Sequence, residues 1–496
     1  MELSTRERDA LSSVFGEIRS RLRYLNEVGL DYLTLSRAAR TLSGGEAQRI
    51  GLACALGGAL TNTLYVLDEP TIGLHARDTG LLLAILRKLA DRGNTVVVVE
   101  HDPDVIAAAD RVVDLGPEAG AKGGELLFSG TPGGLRRLAG NRTAAGLRRR
   151  EASTSSPGNV VAFRRQDRAI TIAGAREHNL KNLTVRLPLG RLVSVTGVSG
   201  SGKSTLLRDC FFHVYQRRVK GVAAVEIGAV DTIRGLENVS DLLFVDQSPL
   251  GRSARSNPVT YTKAYDEIRH AFAATGRART TRVTARDFSF NTAGGRCEAC
   301  QGTGVLTIDM QFLADVVVTC DRCDGRRFSP KVLAVRYRGK NIDDVLRMTV
   351  AEAMSFFADL PKITRRLAPL AEVGLSYLPL GQPTSTLSGG EAQRLKLASF
   401  LEEKSSPRGN LFLFDEPTTG LHSGDVDVLL ATFRKLIARG HSVVAIEHHL
   451  DFIAASDWVI DLGPGGGDRG GEIVAEGTPA EIAAAPRSET GRFLAG

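Results

Sequence analysis

The chain has 496 residues, enough for two or more domains with sizeable cores, and its 43% hydrophobic and 24% charged residues are ordinary for a globular protein. No apolar run of about 18 residues free of charge is present to cross a membrane, and MELSTRERDALSS at the start lacks the apolar core of a secretory signal, so a cytoplasmic location with no membrane partner is expected. The net charge of +7 permits nucleic-acid binding without demanding it, because many enzymes are this basic.

In chain order, the first informative string is TLSGGEAQR from Thr41. Ser43, Gly44, Gly45 and Glu46 fit the S-x-x-E capping box, which predicts the start of a helix. The plain reading is a well-capped helix. The functional reading is an anion site, because two glycines after the cap leave bare N–H groups at the positive end of that helix. TLYVLDEP then predicts an apolar strand that delivers Asp68 and Glu69 to its C-terminal end. VVVVEH predicts another strand, ending at His101.

These strings return later in the chain. VGLDYLTLSRAARTLSGGEAQRIGLA from Val28 aligns with VGLSYLPLGQPTSTLSGGEAQRLKLA from Val373, an offset of 345 residues. The offset is 347 at Asp68 and Asp415. Ser388, Gly389 and Gly390 repeat the signature, Asp415 and Glu416 the carboxylate pair, and His448 the strand-end histidine. The chain therefore reads as a partial module, residues 1–139, followed by a complete one, residues 169–496. Residues 140–168, rich in Ser, Gly and Arg, read as a linker. Its arginines form a solvated linker or, in a second reading, a phosphate-contacting arm.

RLVSVTG predicts a strand running into GVSGSGKST, which fits GxxxxGK[ST], and TLLRDCFFHVYQRR has helical spacing. Strand, glycine loop and helix are the context a P-loop requires. Gly197, Gly200 and Gly202 let the backbone curl so that N–H groups face phosphate oxygens. Lys203 is expected to reach the β- and γ-phosphates and Ser204 to ligate Mg²⁺, with Thr205 beside it in the cofactor set. This P-loop string occurs once. With it in place, Asp415 is expected to hold Mg²⁺ and Glu416 to polarise the attacking water, whereas a carboxylate pair alone could be strand-end capping. A histidine at a strand end is often structural, but its repetition favours a γ-phosphate sensor at His448.

From Gly251 to Arg296 the chain is basic. Arg252, Arg255, Lys263, Arg277, Arg279, Arg282 and Arg286 either neutralise DNA phosphates or form a solvated face. CEAC and CDRC place Cys297, Cys300, Cys320 and Cys323 as C-x2-C-x19-C-x2-C within residues 295–327, which fits a structural Zn²⁺ site. Disulfides or a redox pair are the alternative. The segment between the pairs predicts a hairpin. Cys54 and Cys210 lie in apolar helical surroundings and are expected in the core.

Taken together, GVSGSGKST, VDQSPLGRSARSNPVTY, FSFNTAGGRCEACQGTG, both TLSGGEAQR strings, both DEPT-x-GLH strings and both EHD/EHH ends resemble the ABC-type ATPases and, among them, the UvrA family, the damage-recognition component of the excinuclease of bacterial nucleotide excision repair. The resemblance covers nearly the whole chain. It implies an α/β fold of ABC-type P-loop ATPase cores, one partial and one complete. Helical signature regions and an inserted zinc-ribbon module, within residues 251–400, would accompany them. It implies head-to-tail pairing, with ATP bound by Lys203, Ser204, Gln247, Asp415, Glu416 and His448 across from Ser43, Gly44 and Gly45. A second set, Asp68, Glu69, His101 and Ser388, would lack a P-loop, and bare sheet edges and apolar faces are expected in the partial module. The implied partners are damaged double-stranded DNA and a second copy or a complementary chain. Docking of the UvrB partner is in doubt, because the family's docking region belongs to the N-terminal part that this reading finds missing. The competing classes are a non-hydrolysing remnant or adaptor that needs a P-loop in trans, a drug self-resistance ATPase of the same type, and a transporter ATPase. The zinc module argues against the last.

Overall fold

The structure, a computed structural model, describes residues 5–39, 42, 44–57, 61–117, 120, 123–152, 168–246, 248, 255–308, 310, 316–401 and 408–495. The chain divides into two compact units. The first comprises Met1–Leu115, Glu125–Asp246 and Ser405–Gly496, and the second Gly116–Gly124 and Gln247–Lys404.

In chain order the strands are β1 (Leu64–Asp68), β2 (Thr95–Val99), β3 (Val112–Gly116), β4 (Glu125–Gly130), β5 (Ala169–Ala175), β6 (Leu183–Pro188), β7 (Leu192–Gly197), β8 (Thr232–Arg234), β9 (Leu242–Val245), β10 (Val305–Ile308), β11 (Val316–Thr319), β12 (Leu411–Asp415), β13 (Ser442–Ile446), β14 (Trp458–Gly463) and β15 (Glu472–Gly477). The main sheet of the first unit has the order β15-β14-β7-β13-β12-β9. Its strands are parallel except for β15 at one edge. β7, β12 and β13 are near-continuous apolar runs, as parallel strands covered on both faces should be. One face packs Leu411, Leu413, Val444 and Ile446 against Leu206, Leu207, Cys210 and Phe211 of the helix after the glycine loop. That helix starts as a π-helical stretch, Thr205–Phe212, and continues as His213–Arg218. The antiparallel sheet β6-β5-β8 closes the same core with Ile170, Ile172 and Val185.

The repeated strands near the start of the chain are built from equivalent residues but are covered on one face only. β1 and β2 pair in parallel, and Tyr65, Leu67, Val96 and Val98 pack towards Leu52, Leu82, Ile85 and Leu89. The alternate residues face out: Leu64 is 60% and Val66 64% exposed. Their equivalents 347 residues on are Leu411 and Leu413, both fully buried. Val97 and Val99 stand in the same relation to Val444 and Ile446. The expected bare apolar faces are therefore present, and they lie where the second copy carries its glycine-loop helix.

Two expectations are corrected. Residues 142–152, read from sequence as linker, form a helix, Arg142–Ala152. Ala144 and Leu147, one turn apart, bury against Leu135, and Arg149 pairs with Asp427 at 3.0 Å, so the helix is held by packing that its arginine-rich composition conceals. The rest of that stretch, 153–167, lies outside the described residues. Cys54 is exposed rather than in the core, because it lies on the outer side of the helix Gly44–Gly57; Cys210 is buried as expected.

The second unit is mainly helical. Its helix Gly389–Leu401 opens with the expected capping box: Glu391 N–H donates to Ser388 Oγ at 3.3 Å, and Ser388 N–H to Glu391 Oε2 at 2.8 Å. β10 and β11 form the expected antiparallel hairpin.

Candidate nucleotide site and metal centre

The glycine loop leaves β7 at Gly197 and closes at Lys203. Gly197, Gly200 and Gly202 have φ of 132°, 73° and 107°, the region where only glycine is unstrained. A Cβ on Gly197 would collide with the Leu462 carbonyl of the neighbouring strand. Lys203 is buried, and its Nζ donates to the carbonyls of Gly197 and Val198, both at 2.9 Å. Burial pushes its pKa down to about 8, against the pull of Glu416 and Asp78. Ser201 Oγ is buried with no hydrogen-bond partner among the described residues. A loop that only glycine can trace, a buried ammonium satisfied by its own carbonyls and an orphaned hydroxyl together fit a phosphate group. Ser204 opens the helix, and Thr205 Oγ1 lies 3.4 Å from His178 Nδ1.

β12 and β13 bring the acid and the histidine to this loop. β12 ends at Asp415, and Glu416 follows in a left-handed turn with φ 48°. Its N–H donates to the Ile446 carbonyl at 3.0 Å, which fixes the turn. A residue that carries a Cβ is strained in that conformation, and the equivalent Glu69 has the same left-handed turn, φ 43°. Glu416 Oε1 lies 3.7 Å from His448 Nε2. Burial and then the Asp415 carboxylate push the Glu416 pKa up to about 7, while Lys203 opposes the shift. Burial raises Asp415 as well. Burial and the Lys203 charge hold His448 well below the usual imidazole value, so its ring is neutral, and its Nδ1 has no partner among the described residues.

The first repeat faces this cluster through the turn after its own carboxylates. A Cβ on Gly73 would lie 3.2 Å from both Glu416 carboxylate oxygens. Gly45, in the first turn of the signature helix, backs that turn against the Ile72 carbonyl. The Tyr32 ring packs on Gly200, and Asp78 accepts from the Ser199 N–H at 3.4 Å. A cleft of about 200 Å³ lies above the loop, lined by Tyr32, Arg77, Asp78 and Ser199 among others. The equivalent set is mirrored: Glu69 Oε1 lies 3.8 Å from His101 Nδ1, and a Cβ on Gly420 would come within 3.5 Å of Glu69. Asp68 ends β1 beside that pair.

The structure thus brings Gly197, Gly200, Gly202, Lys203, Ser204, Asp415, Glu416 and His448 together. Gly44 and Gly45 open a helix whose Gly45 lies against the carbonyl of Ile72, the residue before Gly73. Ser388, Gly389 and Gly390 belong to the second unit, whereas Asp68, Glu69 and His101 belong to the first. Ser43, Gln247 and Arg252 lie outside the described residues. Sequence reasoning passed over Glu447 and Glu100. The Glu447 carboxylate accepts from Thr418 N–H and Oγ1 at 2.8 Å each, from His448 N–H at 2.9 Å and from His449 N–H at 3.2 Å. Glu100 repeats the pattern with Thr71, His101 and Asp102. The shared EH dipeptide was the available signal. His75, Asp78 and Tyr32 were also missed, although His75 lies in the repeated GLH string.

In the second unit the sulfur atoms of Cys297, Cys300, Cys320 and Cys323 all lie within 4.8 Å of one another, with Cys300 and Cys323 3.7 Å apart. That is no disulfide. A tetrahedral zinc with Zn–S bonds of about 2.3 Å spaces its sulfurs about 3.8 Å apart, so the residues fit such an ion. Gly304 N–H donates to Cys300 Sγ at 3.3 Å, as a thiolate would require. In the basic stretch Lys263, Arg277, Arg279, Arg282 and Arg286 are exposed, and none makes an ion pair among the described residues. Arg255 is half-buried at the start of the same stretch.

The fold and the site define an ABC-type P-loop ATPase core. No protein-family model matches the chain. It is 51% identical over 493 residues to the UvrABC system protein A of Aquifex aeolicus, covering 99% of this chain and 53% of that protein. It is 51% identical over 482 residues to the UvrABC system protein A of Thermus thermophilus, covering 97% and 50%. The crystal structure of UvrA2 from Deinococcus radiodurans superposes with a TM-score of 0.89 at 46% identity, covering 99% of this chain and 59% of that one. The archaeal Pelota–ABCE1 structure shares the fold, with a TM-score of 0.52 at 17% identity over 93% of this chain and 60% of that one. The chain belongs to the UvrA family and spans about half the length of the curated relatives it matches.

Proposed function

We propose that the chain is a DNA-binding ATPase of nucleotide excision repair, in which ATP binding and hydrolysis gate the hold on damaged duplex. The observation that carries this reading is the cluster of Lys203, Glu416 and His448, closed from the far side by the Gly73 turn of the other repeat. The loop N–H groups and Lys203 take the phosphates. Glu416, with a pKa near the working range, accepts a proton from water; the neutral His448 donates to a phosphate oxygen. Ser204 and Asp415 are the residues that would hold Mg²⁺, which when bound neutralises charge on the phosphate oxygens. Residues 1–139 and 169–496 act as the two modules, with 251–400 as the DNA-facing insertion. Cys297, Cys300, Cys320 and Cys323 would hold Zn²⁺, which would serve that insertion structurally. We assign no strand cleavage to this chain. A second copy or a complementary chain is the proposed protein partner, and the setting is cytoplasmic.

Lys263, Arg277, Arg279, Arg282 and Arg286 form the phosphate-neutralising surface, reading backbone and deformability rather than bases. The test is fluorescence anisotropy on lesion-bearing and intact duplexes, with ADP or a non-hydrolysable ATP analogue, across a salt series. Lesion preference that depends on nucleotide supports the proposal. Replacing Arg282 and Arg286 by Ala should flatten the log–log salt slope by about 2, since each phosphate contact contributes about 0.9. Equal binding to both duplexes in every nucleotide state would overturn it.

A further inference from the structure

The turn that faces Glu416 is itself anchored, and the anchor occurs twice. His75 caps the helix Ala76–Asp91, and its Nδ1 accepts the Arg77 N–H at 3.2 Å. In the neutral ring the proton is therefore on Nε2, which donates to Thr490 Oγ1 at 3.0 Å. Thr490 Oγ1 donates in turn to Asp461 Oδ1 at 3.1 Å, and Ser488 Oγ donates to Asp461 Oδ2 at 2.5 Å. His75, Thr490, Ser488 and Asp461 are all buried. The His75 ring meets the His448 ring edge-on, with centroids 6.1 Å apart.

The equivalent residues 347 positions away repeat the hydrogen-bonded chain. His422 caps the helix Ser423–Ala438, with Nδ1 accepting the Gly424 N–H at 3.3 Å. Its Nε2 lies 3.5 Å from Thr143 Oγ1. Thr143 donates to Asp114 Oδ1 at 2.8 Å, and Asn141 Nδ2 donates to Asp114 Oδ2 at 2.6 Å. In both copies the histidine comes from one repeat and the aspartate from the other, and the threonine lies on a helix that follows that aspartate in the chain. A chance pair of contacts would not keep the same donor order on both sides.

We propose that His75–Thr490–Asp461 and His422–Thr143–Asp114 are reciprocal latches, and that Thr490 and Asp461 are positioning residues for Glu416 and His448. The route is short. Asp461 on β14 is paired with Thr196 on β7, one residue before the glycine loop. Thr490 holds His75, His75 edges His448, and Gly73 in the same turn covers Glu416. The glycine loop and the turn of the opposite repeat are thus linked by the β7–β14 pairing and the Asp461–Thr490–His75 hydrogen bonds. This rests on the ATPase reading above for its effect on turnover, but the latch itself does not.

The test compares Thr490→Val, Thr490→Ser and Thr143→Val in the full chain, with thermal denaturation run beside steady-state ATP hydrolysis. Losing one directed hydrogen bond in the site should lower kcat for Thr490→Val by about tenfold while KM for ATP changes by less than about twofold. Thr490→Ser keeps the hydroxyl and should restore kcat to within about twofold of the parent. Thr143→Val, on the Glu69 side, should lower turnover less than Thr490→Val. Equal loss in the Val and Ser variants, or a larger loss in Thr143→Val, would overturn the latch. If the parent shows no turnover, the ATPase reading falls and the latch is read by ¹⁵N NMR of the His75 ring instead. The Nε2–H tautomer that changes in Thr490→Val supports it; the Nδ1–H tautomer in the parent overturns it.

Discussion

Glu416 and His448 stand side by side, Oε1 to Nε2 at 3.7 Å, one carrying a raised pKa and the other a lowered one. In the proposed mechanism, environments that push a carboxyl up and an imidazole down separate the proton acceptor from the neutral donor. The sign of the pH dependence follows. In that proposed role Glu416 must be ionised to accept a proton, and burial, with the Asp415 carboxylate, pushes its pKa up to about 7. The kcat/KM for ATP hydrolysis should therefore rise with pH through about 7 and level off above it. Glu416→Gln should bind ATP and lose about 10²-fold or more in kcat. A flat profile between pH 6 and 8, taken as about one unit either side of that pKa, would contradict the assignment.

Glu447 gives a stability prediction. Its two oxygens accept from four donors, three of them main-chain N–H groups. An amide would turn an NH₂ towards those donors. Glu447→Gln should lower stability by about 1–3 kcal/mol, read as a drop in Tm, and Glu100→Gln should cost less, since the Glu100 network is less buried.

Val66 and Leu413 are equivalent residues in opposite surroundings: one is 64% exposed and the other fully buried. With Leu64, Val97 and Val99, Val66 forms an apolar strand face in water. The isolated chain should bind a dye such as ANS and self-associate. Val66→Thr with Val97→Thr, which keeps β-branched strand formers, should reduce both. A monodisperse parent with no dye binding would show that the face is covered.

The cysteine cluster predicts one zinc per chain by elemental analysis. Cys320→Ala should abolish it, because a site of four thiolates with one removed no longer closes the tetrahedron. Full zinc content in that variant would place the metal elsewhere.

The sequence was most legible where one string fixes both backbone and chemistry. GVSGSGKST prescribes glycine-only φ values, and they are found at Gly197, Gly200 and Gly202. C-x2-C-x19-C-x2-C prescribes a sulfur cluster, and it is found. The capping box at Ser388 and the hairpin between the cysteine pairs are of the same local kind. Contacts between distant segments were not legible. Nothing in a one-dimensional string says that Thr490 meets His75 or that Tyr32 lies on Gly200. The helix Arg142–Ala152 was hidden because its burial rests on Ala144 and Leu147 among arginines. Cys54 misled because a helix in apolar surroundings still has an outer side.

The most direct measurement is ATP hydrolysis by the purified chain, with and without damaged duplex DNA, beside Lys203→Ala. The account predicts turnover that responds to DNA and disappears in the variant, because Lys203 is the buried ammonium of the P-loop. Turnover that survives Lys203→Ala, or none in the parent, would contradict it.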